Sequence, residues 1–409
     1  MFGKFAQPRL LGLLVGIVSM TLFAVACSGD AATPTSPPPT STTAPKATTA
    51  APAATTAAPA APATEAPKAT RPPVSNEPEA TPVPKQVIKM YDATWSSIIH
   101  NTNIPGYIIE HGYEYPVDYV VGTTGTIKVG LPTGEFDVVM EVWRQNIEDW
   151  WVEHTTSGAV VDLTGGWENV ANGSPGQILE NSAQGFYIPD YIAEQNPGLK
   201  SVTDLPDYVH LFTDAEDPSK GVVFNCIIGW QCQKINRAKW FAYGLYDTYN
   251  VAEPGSAGAL DAAIAGAVTA GEPVLSYYWE PTTIVVEQKL VRLEEPEWTQ
   301  ECQDAMNLGV ESTPYESTMG CAYPIADVHS AVYSGLAARA PEVTTFLANT
   351  FIGALPLGAL DTWQAENDAE FRDAAVHYLK ENKDVWTTWI TDDNAAEIIA
   401  RVDDALATE

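Results

Sequence analysis

VIKMYDATWSSIIHNTNIPGYII, residues 87–109, reads in turn as strand, loop and helix. Residues 87–91 are apolar at most positions, as a strand buried against other elements needs to be. Asp92, Ala93, Thr94 and Trp95 form a loop, and a helical pattern runs on through Ile108 and Ile109. A second apolar stretch, 115–121, is followed by a helix-like segment at 126–131 and a third strand-like run at 136–142. This alternation predicts an α/β fold with a mainly parallel sheet covered by helices.

The same alternation recurs further along. Strand-like runs at 185–188, 222–224 and 274–278 accompany a helix from Cys232 to about Tyr246. Another strand is expected at 323–328, with helices at 341–355 and 368–379. The order fits two α/β lobes joined by crossing strands, with residues 86–180 and 323–409 in one lobe and 181–322 in the other. No period of 20 to 50 residues suggests a solenoid.

Outside this body the chain is of a different kind. Lys4 and Arg9 precede an apolar run that ends in Ala24, Val25, Ala26 and Cys27, the pattern of a secretion signal, residues 1–27, cleaved before a lipidated cysteine. The run is shorter than the roughly 20 residues of a membrane-spanning helix. Residues 28–85 are Ala, Pro, Thr and Ser with almost nothing able to form a core, and are expected to be a disordered tether. A flexible chain of that length has an end-to-end distance of roughly 40 Å.

The formal net charge of -31 argues against nucleic acid as a partner, because a phosphate-binding surface needs clustered Lys and Arg. In brine the Debye length falls to a few ångströms, so a site that relied on exposed charge would be screened. An enclosed site escapes that limit. If Cys27 carries lipid, the other four cysteines form an even set in an oxidising compartment, and their positions suggest Cys226 with Cys232 and Cys302 with Cys321. A zinc site is the competing reading for the first pair, although CxxC spacing is absent. No cofactor is expected.

In sheets of this type ligands sit beyond the carboxyl ends of the strands. Trp95 and Trp143 fall at such positions. The segment NCIIGWQC, residues 225–232, precedes a helix, and a Cys226–Cys232 bond would close a small loop around Trp230. The amides of Gln231 and Cys232 would then lie at a helix N-terminus, where unpaired N–H groups favour an anion. Trp279 ends a strand that Glu280 and Pro281 turn out into a loop. A trimethylammonium group has no N–H to donate, so aromatic faces have to supply the attraction, each about 0.5 to 2 kcal/mol when desolvated. Three faces plus bonds to a carboxylate can reach the roughly 8 kcal/mol of a micromolar complex.

Several segments together resemble the substrate-binding proteins of glycine betaine/proline betaine ABC transporters. They are, in order, TGEFDVVMEVW (133–143), AQGFYIPDYIAEQNPGLKSVTDL (183–205), CIIGWQC (226–232), GEPVLSYYWEP (271–281) and AYPIADVH (322–329). The resemblance implies a two-lobe periplasmic-binding-protein fold that closes on its ligand, an importer permease as partner, and a monomer held to the membrane by its lipid. It implies that Trp143, Trp230 and Trp279 box the quaternary ammonium and that the amides of Gln231 and Cys232 hold the carboxylate. Where close relatives place a carboxylate-binding histidine this chain has Ile147, and Asn146 or Arg144 is the candidate replacement. Trp95 and Tyr187 are candidates for further walls or for plain packing. His329 is either a ligand contact or a satisfied buried histidine. Glycine betaine or proline betaine is the expected ligand, with choline, carnitine or another small zwitterion as the alternative.

An enzyme reading competes with this one, because a secreted glycan hydrolase also combines aromatics with carboxylates and could use Glu141, Glu280 and Asp92 as acid and base. A lectin is a third possibility. No nucleophile elbow, phosphate loop or zinc signature is present.

Overall fold

Ten strands carry the fold of the computed structural model, which describes residues 84–164, 179, 182–326 and 328–409. All of these lie in one compact unit, Glu79–Glu409. The signal segment, Cys27, nearly all of the expected tether and part of the expected first lobe lie outside the described residues.

The strands are β1 (Ile88–Asp92), β2 (Val117–Val121), β3 (Val138–Trp143), β4 (Val160–Asp162), β5 (Gln184–Pro189), β6 (Gly221–Phe224), β7 (Tyr249–Ala252), β8 (Ser276–Trp279), β9 (Leu290–Arg292) and β10 (Val328–Tyr333). They form two five-stranded sheets, ordered β2-β1-β3-β10-β4 and β7-β6-β8-β5-β9. In the first sheet β1 is parallel to β2 and β3, while β10 is antiparallel to both β3 and β4. In the second, β6 is parallel to β7 and β8, while β5 is antiparallel to both β8 and β9. Each sheet is therefore mixed, with a single reversed strand. The reversed strands, β5 and β10, are the ones that the chain enters on changing sheets. Beside them the two crossing segments touch, Ala326 N–H donating to Ser182 O at 2.8 Å.

Burial explains why these segments form strands. Every residue of β5 and β8, and all but the last of β3, is buried, giving the near-continuous apolar runs of sheets covered on both faces. Helix Ser96–His111 packs on β1, β3 and helix Phe371–Glu381 over the first sheet. In the second half Lys239 is fully buried, 2.6 Å from Glu295, with its ammonium 4.0 Å above the Tyr323 ring. Burial pulls that ammonium's pKa below its ordinary value, and the Glu295 carboxylate opposes the shift.

Three sequence expectations need correction. The strand expected at 323–328 begins only at Val328, because Pro324 has no N–H to offer a ladder and Ala326 makes one isolated bridge. The helix expected across 341–355 is two helices, Pro341–Asn349 and Ala354–Asn367, separated where Gly353 takes a φ of 84°. The helix expected from Cys232 to Tyr246 stops at Ala242, and Gly244, with φ 69°, leads into a separate short turn.

Candidate functional site

Four tryptophans converge from strand ends. Trp95 follows β1 by three residues, Trp143 ends β3, Trp279 ends β8, and Trp230 lies in the loop between β6 and helix Gln231–Ala242. All four line a single cavity of 40 Å³ that has walls from both sheets. Trp230 sits centrally: its ring meets Trp95 edge-on at 5.1 Å and 79°, and meets Trp279 edge-on at 5.6 Å and 76°. Behind Trp279, Tyr278 stacks almost parallel at 4.4 Å. Trp95, Trp230 and Trp279 are buried and Trp143 is half-buried.

Glu141 fixes two of these rings. The residue has no exposed surface, and one carboxylate oxygen accepts the indole N–H of Trp95 at 2.6 Å, the indole N–H of Trp143 at 3.0 Å and the hydroxyl of Ser97 at 3.0 Å. The other oxygen accepts from the Asn101 amide at 3.2 Å. Burial pushes the carboxyl above its ordinary pKa, and the four donors pull it back only in part. The cavity lining contains no Lys, Arg or His among the described residues.

Trp230 is placed by its loop. Cys226 is bonded to Cys232, with their Cα atoms 5.8 Å apart, so these cysteines are paired with each other and the zinc reading is set aside. Trp230 is the N-cap of helix Gln231–Ala242 and supplies no side-chain cap. The first-turn residues Gln231 and Cys232 both line the cavity. Gly229 has a φ of 95°, and a Cβ there would stand 2.7 Å from Cγ2 of Thr123, which lies after β2 in the other half. Glycine is required on both counts. Cys302 is bonded to Cys321 away from the cavity, with Cα atoms 6.4 Å apart.

The remaining candidates divide. Asn146 lines the cavity, and so does Ile147. Tyr187 does not: it is buried beneath the sheet and donates its hydroxyl to Glu280 at 2.7 Å. Arg144 lies in a separate surface groove, 3.5 Å from Glu148, and is not placed to replace the missing histidine. His329 holds Asp162 at 2.9 Å and meets Trp151 edge-on, outside the cavity. Of the three carboxylates weighed for hydrolysis only Glu141 lines the cavity. Asp92 accepts the Thr94 amide and Glu280 accepts from Tyr187, and neither is in the described lining of the cavity.

Five lining residues escaped the sequence reading as site residues: Thr124, Ile127, Val142, Gln184 and Tyr277. The signal for Gln184 was available, a lone amide opening an otherwise apolar strand. Glu141 stands out likewise, as a lone carboxylate in the run VVMEVW.

The family model described as the substrate binding domain of the ABC-type glycine betaine transport system matches residues 86–381. A trimethylamine N-oxide-binding protein of Pelagibacter ubique is 23% identical over 308 residues, covering 74% of this chain and 90% of that protein. Among solved structures, a glycine betaine, L-proline ABC transporter binding protein from Borrelia burgdorferi superposes with a TM-score of 0.59 at 18% identity, covering 76% of this chain and 99% of that one. An ABC-transporter choline-binding protein in complex with choline gives 0.59 at 18% identity, covering 78% and 98%. At these identities the superpositions show a shared two-sheet α/β fold.

Proposed function

This chain belongs to the family of substrate-binding domains of ABC-type glycine betaine transport systems, and we propose on that footing that its tryptophan cavity captures a compact methylated-ammonium zwitterion for delivery to an importer permease. The observation that carries the reading is the convergence of four indoles from both sheets on one cavity without a cationic side chain in its described lining. Indole faces attract a cation that offers no donor, and enclosure strengthens that attraction by excluding water. Glu141 accepts the indole N–H of two of the rings, which makes their faces more electron-rich. The amides of Gln231 and Cys232, at a helix N-terminus, suit the anionic end of the solute.

Glycine betaine fits this inventory. A second reading, trimethylamine N-oxide, is favoured by the lining itself: Ile147 offers no donor to a carboxylate, and the enclosure is small. The relative from Pelagibacter ubique carries that ligand in its name. Isothermal titration with glycine betaine, proline betaine, choline, carnitine and trimethylamine N-oxide tests both readings. Saturable binding of the first or the last decides between them, and heat with none of the five removes the proposal.

The same reading divides the body into lobes at 86–180 with 323–409 and at 181–322, closing as a monomer about the two crossing segments. It makes Cys27 the lipid anchor, with residues 28–85 as the tether. Palmitate labelling in cells that is lost in Cys27→Ala is the expected result, and labelling that persists in that variant overturns the anchor.

A further inference from the structure

Two side-chain amides from different halves of the body meet in the lining of the cavity. Asn146 lies in the turn that follows β3, and Gln184 opens β5. Each donates to the other, Asn146 Nδ2 to Gln184 Oε1 at 3.1 Å and Gln184 Nε2 to Asn146 Oδ1 at 3.2 Å. The Tyr277 hydroxyl adds a third bond, 2.8 Å to Gln184 Oε1. Gln184 is only 3% exposed, so water does not compete for its amide and an unmade bond there would be costly.

Backbone register ties this pair to the cage. Gln184 is the direct cross-strand partner of Trp279 in the β5–β8 ladder, and Asn146 stands three residues beyond Trp143. Tyr277 joins the two, since its hydroxyl reaches Gln184 while its ring lies 6.3 Å from that of Trp279. A movement of the sheets that separates Trp143 from Trp279 therefore pulls Asn146 from Gln184. Both amide bonds break together.

We propose that Asn146 and Gln184 form a latch between the two halves, a pair of positioning residues that holds the cavity shut and so sets how long a solute stays. The proposal rests on the reading that this cavity captures a solute by closure. The latch acts on Trp143 and Trp279 through the backbone and does not need to touch the ammonium. Because both groups are neutral, its contribution is insensitive to salt, where an exposed ion pair would be screened. It is equally insensitive to pH, since an amide carries no titrating proton.

A double-mutant cycle tests this, with glycine betaine and trimethylamine N-oxide as probes and stopped-flow tryptophan fluorescence as the readout. Asn146→Ala and Gln184→Ala are each expected to raise the dissociation rate roughly tenfold and to leave the association rate within about twofold. The double variant is expected to match the single variants, because the second substitution removes a bond already lost. A double variant faster by about a hundredfold would show two independent contacts with the solute and overturn the latch, as would unchanged dissociation in both single variants. Gln184 is buried, so Asn146→Ala is the variant that preserves packing, and its melting temperature is checked against the parent chain. A fluorophore pair on helices Thr124–Thr133 and Ala257–Ala270 reads closure without any solute, and Asn146→Ala is expected to lengthen the mean distance. If no probe binds the parent chain, the capture reading fails, while this distance still decides the latch. An unchanged distance sinks it.

Discussion

Trp230 and Trp279 meet edge to face at 5.6 Å and 76°, and the Trp230 ring meets Trp95 in the same manner at 5.1 Å and 79°. Removing Trp230 therefore strips a partner from two other walls of the cavity. Trp230→Ala and Trp279→Ala are each expected to weaken solute binding at least tenfold, about 1.4 kcal/mol, in isothermal titration. Unchanged affinity in both defeats the site assignment.

Glu141 couples the cavity to pH. Its folded carboxyl has a pKa above the ordinary glutamate value, so between those two values the native state binds more protons than the unfolded chain. This group's contribution to stability is therefore greatest at low pH and declines as pH rises through the folded pKa. Glu141→Gln is expected to flatten that decline in denaturation curves taken from pH 4.5 upward, and a slope identical to the parent chain contradicts it.

Trp95→Phe keeps an aromatic face and deletes the 2.6 Å bond to Glu141. About 1 to 3 kcal/mol of stability is expected to go with a bond to a buried acceptor of this kind. Urea unfolding measures it, and a change below a few tenths of a kcal/mol would show that Glu141 does not hold the ring.

The Lys239–Glu295 pair gives a prediction remote from the cavity. Lys239→Met leaves a carboxylate buried at 2% exposure, with the Tyr243 hydroxyl bonded to it but no cation in place of Lys239, and is expected to cost about 3 to 5 kcal/mol. Lys239→Met with Glu295→Gln is expected to recover most of that loss, because no uncompensated charge remains. Failure of the second change to recover stability contradicts the electrostatic account.

The two disulfides separate by function. Closing the short Cys226–Cys232 loop is worth about 2 kcal/mol by loop entropy, and the longer Cys302–Cys321 loop about 3 kcal/mol. Replacing the first pair with serine is expected to reduce affinity, because Trp230 lies within that loop. Replacing the second is expected to lower the melting temperature with affinity unchanged.

Several strand positions and the tryptophans at their ends were legible in the sequence for a shared reason. β3 and β8 are buried almost throughout, so each is a plain apolar run, and a tryptophan closing such a run stands where strands of an α/β sheet present ligands. Trp95, Trp143 and Trp279 stand out by their strand ends, and Trp230 by the short cysteine-bounded loop that precedes a helix. Gln184 and Tyr277 were not legible, because Gln184 meets Asn146 only after the chain has crossed from one sheet to the other and Tyr277 reaches Gln184 from a distant strand, and periodicity within a segment carries no trace of either meeting. The positions of Arg144 and His329 were equally hidden. Arg144 lies beside Glu148 and His329 beside Asp162, pairings that a strand pattern cannot register.

The reversed strand β10 also sets an order of assembly. It lies between β3 and β4, yet it is residues 328–333, made only after every strand of the second sheet has been synthesised. As the polypeptide emerges from a ribosome or a translocation channel, β4 has no neighbour to pair with until most of the molecule has followed it out. The second sheet draws all of its strands from residues 184–292 and can be completed first, so the later half of the chain matures before the earlier one.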